Sequence, residues 1–599
     1  MEMRRLLVAF WTLLTVSLPV HGQDAESIIA RITGVADVAE LDADEYEHWE
    51  RLLSHPVDVN LLSENRLAAT RLFSAFQIAS ILDYRQNAGD ILSLTELAQL
   101  DGFSPERAEL LRPFLRFDGG RIQAEDRSLH GEWISQAVGS ASIRDGPAWQ
   151  GEGLHWKTKA RIRVGERWSA AWSPSGTWHL SVSGVRNPWR LVIGDFRVRT
   201  GQGLLLWKGF SISGLTAMGS FAKTSSGLTP TASWSTGTAF RGLAGECRIG
   251  RWKALAFVSG VTGEEPLITG GHLLRLFRSG QLGLTAYRQE KTPPRGKKPA
   301  RDGEVKCSAD AFWSLGRVEL FGEAAWDLLP RKGAAVGGVR LPLGERMRLA
   351  AALRYYPAGY QAPHAGALRA ATKTGDERGV SLGWEYGSEK RVRLSGVEGF
   401  GNSVQRTRLL LTLDAFSSPS TPGNGQVKAL VRYDGQLSGS WALQLRLTHR
   451  SRWKEAYSAR NEVRADLVWD IGCLNHVTRA DLVRGEGVAG LLYDEWNYGG
   501  KGPWRVSLRG TLFAVDRWND RIYAYEKDAP GGFSVPAFYG RGWKLSLLSG
   551  WKTAIPRTRI RAAFYLRGAL TSYPASWALP AAERKMPKAQ AKAQLCLTF

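Results

Sequence analysis

The last nine residues of the chain, Ala591–Phe599, read AKAQLCLTF, and this stretch decides how the rest of the sequence is interpreted. Side chains of an extended strand alternate between two faces. One face would carry Ala591, Ala593, Leu595, Leu597 and Phe599, and the other Lys592, Gln594, Cys596 and Thr598. A strand with one apolar face that ends on an aromatic residue is typical of the closing strand of a transmembrane β-barrel, because aromatic side chains form a girdle at the membrane interface.

The composition agrees with a large barrel. The chain has 599 residues, and its hydrophobic content of 43% is ordinary and excludes a helical membrane bundle. It contains 24 Trp and 66 Gly, as expected for two interfacial aromatic belts and many tight hairpins. The four cysteines, Cys247, Cys307, Cys473 and Cys596, lie far apart. They predict neither a zinc site nor a disulfide framework, although one disulfide among them is left open.

Charge is unevenly distributed along the chain, whose net charge is +22. Residues 23–118 contain 18 Asp and Glu against eight Arg and no Lys, a net charge of −10. Residues 1–22 carry +1, so residues 119–599 carry +31. The acidic and basic parts are therefore expected to be separate modules with different neighbours.

Residues 1–22 have the pattern of a secretory signal peptide. Arg4 and Arg5 precede an apolar run from Leu6 to Val20, and Gly22 follows. This run is short for a membrane-spanning helix, although an N-terminal anchor is the alternative. No later stretch of about 18 apolar residues occurs, so an exported chain without a membrane helix is expected.

Residues 56–118 contain two similar helical units, preceded by a helical lead-in at residues 23–55. Each unit has an apolar helix, a turn and a second helix, with the turns at 72–77 and 100–105. A Tyr84-Arg85 pair ends the first unit and Gly89 precedes the second. This arrangement resembles the tandem helix-hairpin-helix domain of competence-type DNA receptors. The resemblance implies a small all-α domain.

The candidate interaction residues of this domain lie in its hairpin turns: Ser74, Ala75, Phe76, Gly102, Phe103 and Ser104. In DNA-binding members each turn reads Gly-hydrophobic-Gly, and its backbone N–H groups contact a phosphate. Here the first turn has neither glycine, and the second keeps only Gly102. Binding a polyanion also requires cations, whereas this module is acidic. A protein-interaction or packing role is therefore expected, with DNA binding as the alternative.

From about Arg127 onward the apolar pattern has a period of two. Val427–Tyr433 and Val463–Trp469 each alternate apolar with polar or charged residues. Some twenty such segments, without a helix between them, exclude a soluble sandwich. The sequence predicts a mainly β fold in which residues 127–599 form an antiparallel transmembrane barrel of roughly 20–24 strands.

A barrel of this size is too wide for wall side chains alone to fill. The charge-free stretch Thr224–Ala239 and the basic stretch Lys291–Arg301 are candidates for an inward-folded segment and an exposed loop, in either order. The excess positive charge has two interpretations: contacts with lipid headgroups and lipopolysaccharide, or a cationic lumen that favours anionic cargo. The candidate lumen cations are Arg557, Arg559, Arg561 and Arg567.

Three further segments resemble outer-membrane proteins of the Bacteroidota type that have an N-terminal helix-hairpin-helix region. They are Ile193–Phe196 (IGDF), Gly201–Trp207 (GQGLLLW) and Phe240–Ala244 (FRGLA). The resemblance implies an outer-membrane location but no particular activity. The terminal strand with Leu595, Leu597 and Phe599 likewise resembles the signal that the barrel-assembly machinery recognises. The glycines around Gln202 predict a bulge or tight turn within a barrel hairpin.

No motif indicates an enzyme. Gly379–Gly383 (GVSLG) matches a nucleophile elbow but continues as a strand instead of a helix, and a barrel-embedded hydrolase lacks a candidate triad. The ten histidines form no His-Glu-x-x-His pair, and Gly201-x-Gly203 lacks the third glycine of a dinucleotide site. No catalytic residue, metal or cofactor is expected.

The sequence thus predicts a non-enzymatic outer-membrane β-barrel protein that acts in envelope transport, secretion or assembly. Its helical module would lie in the periplasm and dock onto a periplasmic or other envelope protein. The expected partners are outer-membrane lipid, lipopolysaccharide and the barrel-assembly machinery. The alternative is a DNA-uptake or DNA-binding protein. The missing hairpin glycines and the negative charge of the module argue against it, so nucleic acid is not an expected partner.

Overall fold

The structure is a computed structural model that describes residues 25–118, 128–142, 150–185, 187–211, 215–234, 239–260, 266–290, 303–328, 331–344, 346–371, 373–392, 403–438, 440–499, 502–574 and 587–599. The predicted signal peptide and the basic stretch Lys291–Arg301 lie outside these residues.

A single closed sheet of twenty-four antiparallel strands dominates the described part of the chain. In chain order the strands are β1 Leu129–Ser142, β2 Gln150–Val164, β3 Trp168–Trp172, β4 Trp178–Ser183, β5 Trp189–Arg199, β6 Phe240–Ile249, β7 Trp252–Ser259, β8 Ile268–Leu276, β9 Gly280–Gln289, β10 Glu304–Leu315, β11 Val318–Asp327, β12 Lys332–Leu343, β13 Met347–Tyr356, β14 Glu377–Val392, β15 Ser403–Ser417, β16 Gly425–Gln436, β17 Trp441–Lys454, β18 Ala456–Ile471, β19 Leu474–Arg484, β20 Val488–Gly499, β21 Trp504–Val515, β22 Gly540–Ala554, β23 Arg561–Ser572 and β24 Lys588–Thr598. Each strand pairs with the next, and β24 closes the barrel on β1. The predicted fold class is confirmed.

The terminal strand has the predicted alternation. Gln594 and Cys596 are buried on the inner face, and Leu595 and Leu597 lie on the outer face. At the seam, the Phe599 N–H donates to the Gly131 carbonyl at 3.0 Å, and the Gly131 N–H donates back at 2.8 Å. A Cβ atom at Gly131 would lie 2.0 Å from the Phe599 ring, so the seam requires glycine at this position.

Connections alternate between the two ends of the barrel. At the end that carries Leu129 most are short, for example 250–251 and 316–317, whereas 200–239, 357–376 and 516–539 lie at the opposite end. We name these the short-turn end and the long-loop end. Exposed tryptophans border both: Trp168, Trp189, Trp252, Trp441 and Trp504 at the short-turn end, and Trp172, Trp178, Trp326 and Trp453 at the long-loop end. The barrel therefore has two outward aromatic belts, as its composition predicts.

The helical module, residues 25–118, precedes the barrel. Its helices are α1 Ala25–Thr33, α2 Ala43–Ser54, α3 Glu64–Thr70, α4 Ala75–Asn87, α5 Leu94–Leu97 and α6 Pro105–Leu111. The pairs α3/α4 and α5/α6 pack around a core that includes Leu67, Phe73 and Phe114, and Val57–Asp58 pairs in parallel with Leu115–Arg116. Among the helices that the structure describes, none is both long and apolar enough to cross a bilayer.

Candidate functional site

The helical module lies inside the barrel and is bonded to its inner wall. The module-to-wall ion pairs are Asp37 with Arg464 and Arg479, Asp44 with Arg197, Glu45 with Arg199, Glu47 with Lys159 and Arg161, and Glu64 with Arg248. Their wall partners come from β2, β5 and β6 and, on the opposite side of the ring, from β18 and β19. The expectation that the acidic and basic parts have different neighbours is therefore wrong. The acidic and basic parts are each other's neighbours, because opposite charges on them pair across the lumen.

Asp37 bonds to two arginines of the wall, one on β18 and one on β19. Arg479 Nη1 donates to its Oδ2 at 3.0 Å, Arg464 bonds to the same oxygen, and the Ala39 N–H donates to its Oδ1 at 2.8 Å. Burial raises the pKa of Asp37, but the charges of Arg464 and Arg479 outweigh burial and hold that pKa well below its ordinary value. The carboxylate is thus ionised and bridges two strands of the wall.

Glu47 makes an equivalent contact with another part of the wall, on β2. Lys159, which is buried on β2, donates to Glu47 at 3.0 Å, and Arg161 bonds to the same carboxylate. Burial raises the pKa of Glu47, and the two cations lower it to about 2. Removing one partner of a buried pair leaves an uncompensated charge, at a cost of about 3–5 kcal/mol. The two carboxylates therefore hold the module in one position across the lumen.

Segments from the long-loop end fold inward and meet the module. The Thr216 hydroxyl donates to the Gly34 carbonyl at 2.7 Å, and the Tyr525 hydroxyl donates to the Tyr46 hydroxyl at 2.8 Å. Ser233 bonds to Asp44, so the described part of the stretch Thr224–Ala239 lies within the lumen. Module and inward segments together occupy the barrel interior.

The glycines around Gln202 form a turn in one of these inward segments. The backbone N–H groups of Gln202 and Leu204 donate to one carboxylate oxygen of Glu323, at 2.7 and 2.9 Å. Gly201 has a φ of +52°, which favours glycine. The tight turn that we expected is present, but it lies in the lumen and not in a hairpin of the wall.

The Asp195 carboxylate accepts two hydrogen bonds from Arg241, each at 2.9 Å, and so joins β5 to β6.

The residues of both hairpin turns contact other residues of the protein. Ser74 caps α4 by accepting from the Gln77 N–H at 3.2 Å, and Gln77 in turn donates to the Gly102 carbonyl at 2.7 Å. Phe76 is buried against the barrel wall at Leu274, Leu276 and Phe312, with Ala75 partly buried beside it. Ser104 caps α6, and the Phe103 ring packs against Phe73 with ring centroids 6.0 Å apart. The first hairpin turn thus packs the module against β8 and β10.

The predicted ladder of lumen cations does not form. Arg557 and Arg559 lie in the exposed turn between β22 and β23, and Arg561 is exposed at the first position of β23. Arg567 alone among the four is buried in the lumen, where it bonds to Glu526 at 2.5 Å. The prediction is wrong because Pro556 and the positive φ of Arg557 end the strand pairing here, although the sequence alternation continues through the turn.

The wall cations that hold the module were not singled out from sequence. Arg464 occupies the charged face of Val463–Trp469, so alternation shows that it points inward. Nothing local identifies Asp37 as its partner, because the two residues are 427 positions apart. Sequence therefore indicates the direction of such a side chain and leaves its partner undetermined.

Within the described residues, no group of three or more His, Cys, Asp or Glu side chains is placed to hold a metal ion. Ser381 of the GVSLG match lies within β14, where its hydroxyl donates to Asp414 at 2.5 Å and accepts from Arg354 at 2.7 Å. It therefore belongs to a polar network on the wall instead of a strand-to-helix turn.

All four cysteines are free thiols, so the disulfide left open by their spacing does not form.

The fold and its occupied lumen define an outer-membrane-type β-barrel with an internal helical module. No protein-family model and no curated protein matches the chain. Among solved structures it is similar to OccK9 (OpdG) of Pseudomonas aeruginosa, with 10% identity over 80% of this chain and 99% of that one at a TM-score of 0.30. It is also similar to a BenF-like porin from Pseudomonas fluorescens Pf-5, with 9% identity over 79% and 99% of the two chains at a TM-score of 0.30. The translocation pore of the P pilus usher PapC matches with 9% identity over 79% and 100% at a TM-score of 0.34. At these scores the assignment rests on the closed sheet itself and not on the similarity.

Proposed function

We propose that this protein is a non-enzymatic outer-membrane barrel whose helical module is a lumenal plug, and that it serves envelope transport, secretion or assembly as a gated passage. The observation that carries the proposal is the set of ion pairs between the acidic module and opposite sides of the wall. The outward apolar faces and two aromatic belts support the membrane location. An ion-paired plug can be released without unfolding the barrel, because the barrel closes on itself through β1 and β24.

We further propose that the module is a helix-hairpin-helix unit that is accessible from the periplasm. Asn60 supports the tandem arrangement: its amide donates to the Ile91 carbonyl and accepts from the Ile91 N–H, both at 2.9 Å, and so ties the two units together. Short turns face the periplasm in outer-membrane barrels. The module lies at that end, where Ser63 donates to Glu166 and the Asn65 amide donates to the Gly184 carbonyl, both at 3.0 Å. An envelope partner would meet the module there.

Conductance of the full chain in planar bilayers tests the plug. We expect the unmodified protein to conduct little, and the double variant Asp37→Asn, Glu47→Gln to conduct several-fold more, because it leaves wall cations buried without their partners. Asp101→Asn with Asp118→Asn is the matched control, since it removes the same charge from two exposed positions. Equal conductance in the two double variants would refute the plug.

A further inference from the structure

An elongated chamber of about 320 Å³ lies between the plug, the inward segments 200–211 and 215–226, and the wall strands β9–β15. It extends from Arg317, in a turn at the short-turn end, to Lys223 in the inward segment. Its volume is within the range of small-ligand sites, about 300–1,000 Å³. The chamber is therefore large enough for a small solute that arrives from the short-turn end.

The chamber has an excess of positive charge. Nine Arg or Lys side chains line it, against five Asp or Glu. Glu385 is shared by two arginines, Arg348 and Arg408, and Glu45 is shared by Arg71 and Arg199. Each shared carboxylate leaves one positive charge uncompensated.

Some hydrogen-bond donors of the cations in the chamber are unused among the described residues, although Arg340 and Arg408 are each ion-paired through another nitrogen. The Nε atoms of Arg340 and Arg408 are buried and have no hydrogen-bond partner there. The Lys223 ammonium lies 4.3 Å from the centroid of the Trp207 ring, without a carboxylate within ion-pair distance in the described part of the chain. Burial, with the nearby charges of Arg369 and Arg199, lowers the pKa of Lys223, and an anion bound beside it would favour the protonated ammonium. The chamber therefore has unused capacity for an anion.

We propose that this chamber binds a small solute with two or more negatively charged oxygen groups, phosphate or carboxylate, which enters from the periplasmic end. The planar guanidinium groups match both kinds of oxyanion and bind them with charge-assisted hydrogen bonds. The proposal rests on the proposed function, because it names the solute class of the plugged passage. It does not require that the passage open, so it can be tested separately.

Isothermal titration calorimetry of the full chain in detergent, with pyrophosphate, citrate and glucose as probes, tests the proposal. We expect saturable binding of pyrophosphate, citrate or both that weakens as salt rises, and no binding of glucose. The outcome with the two anions distinguishes phosphate from carboxylate as the preferred group. Absence of binding by both anions, or equal binding of glucose, would overturn the proposal whatever the conductance result.

Variants locate the binding to the chamber. Lys223→Met should weaken anion binding about tenfold or more, because a hydrogen bond to a charged group contributes about 1.5–3 kcal/mol. Lys588→Met is the matched control, since this exposed lysine at the long-loop end lies outside the chamber and should leave the affinity unchanged. Arg107→Met is a second chamber variant, in case Lys223→Met impairs assembly. If correctly assembled chamber variants bind as tightly as Lys588→Met, the anion site is not in this chamber.

Discussion

Asp37 in the helical module accepts a 3.0 Å hydrogen bond from Arg479 of β19, a residue 442 positions away along the chain. Both side chains are largely buried in the barrel lumen, with 7% and 13% of their surface exposed. Most of the module's acidic contacts follow this pattern, in which a carboxylate of the module meets a cation of the wall. Five carboxylates of the module pair with wall cations in this way: Asp37, Asp44, Glu45, Glu47 and Glu64.

A double-mutant cycle between Asp37 and Arg464 should show strong coupling. Asp37→Asn leaves Arg464 and Arg479 close together without their shared carboxylate, so we expect the protein to lose about 3–5 kcal/mol of stability. Adding Arg464→Met removes one of the two repelling charges and should restore part of the loss. Thermal unfolding followed by circular dichroism measures both effects. Additive effects of the two substitutions would show that the contact does not hold the plug.

Plug docking should weaken as the pH rises through about 7. Burial and the nearby Glu47 raise the pKa of Glu50 from 4.5 to about 7. Glu50 therefore binds a proton more tightly in the docked state than in the unfolded state. The stabilisation that this proton provides is fully present below pH 4.5 and is lost as the pH rises through 7. The whole change is about 3 kcal/mol. Limited proteolysis of residues 25–118 should accordingly be faster at pH 8 than at pH 5.5.

Glu50→Gln should reduce this pH dependence, because glutamine does not titrate. Glu96→Gln provides the control: it is the same substitution on α5, outside the contact between α2 and the inward segment. A proteolysis rate that changes with pH as steeply in Glu50→Gln as in the unmodified protein would assign the effect to another group.

Gly131→Ala should impair barrel closure. The added Cβ would lie 2.0 Å from the Phe599 ring, and overpacking of this kind costs about 1–3 kcal/mol. Gly568→Ala is a suitable control, because a Cβ there meets nothing within 4 Å on the neighbouring strand β23. The measurement is the fraction of chain that runs as a folded, heat-sensitive band in gel electrophoresis. Combining Gly131→Ala with Phe599→Ala should recover that fraction, and failure to recover would place the defect elsewhere.

Neutralising the exposed arginines should have little effect on the lumen. Arg557→Gln with Arg559→Gln alters a turn at the barrel rim, so we expect unchanged ion selectivity in bilayers. Arg567→Gln removes a buried partner of Glu526 and should loosen the inward segment 516–539, which would appear as increased current noise. A change of ion selectivity in the Arg557→Gln, Arg559→Gln variant would show that these two arginines do face the lumen.

Much of the fold follows from the sequence alone. The alternation in Ala591–Phe599 and Val427–Tyr433 assigns the outward and inward side chains correctly, because alternation is a local property of any extended strand. The helices of residues 56–118 were likewise predicted, because apolar residues recur with helical period on both sides of the turns at 72–77 and 100–105. Strand number could be estimated within a small range because each strand is a separate repeat of the same local pattern.

The position of the helical module was decided only by tertiary structure. Net charge showed that residues 23–118 are acidic and that the rest of the chain is basic, but not that these charges pair with each other. The prediction that Arg557, Arg559 and Arg561 face the lumen was wrong for a related reason, since alternation does not reveal where a strand leaves the sheet. Local pattern determined the wall of this barrel, whereas its contents depend on contacts between residues such as Asp37 and Arg464, which come together only when the sheet closes around the module.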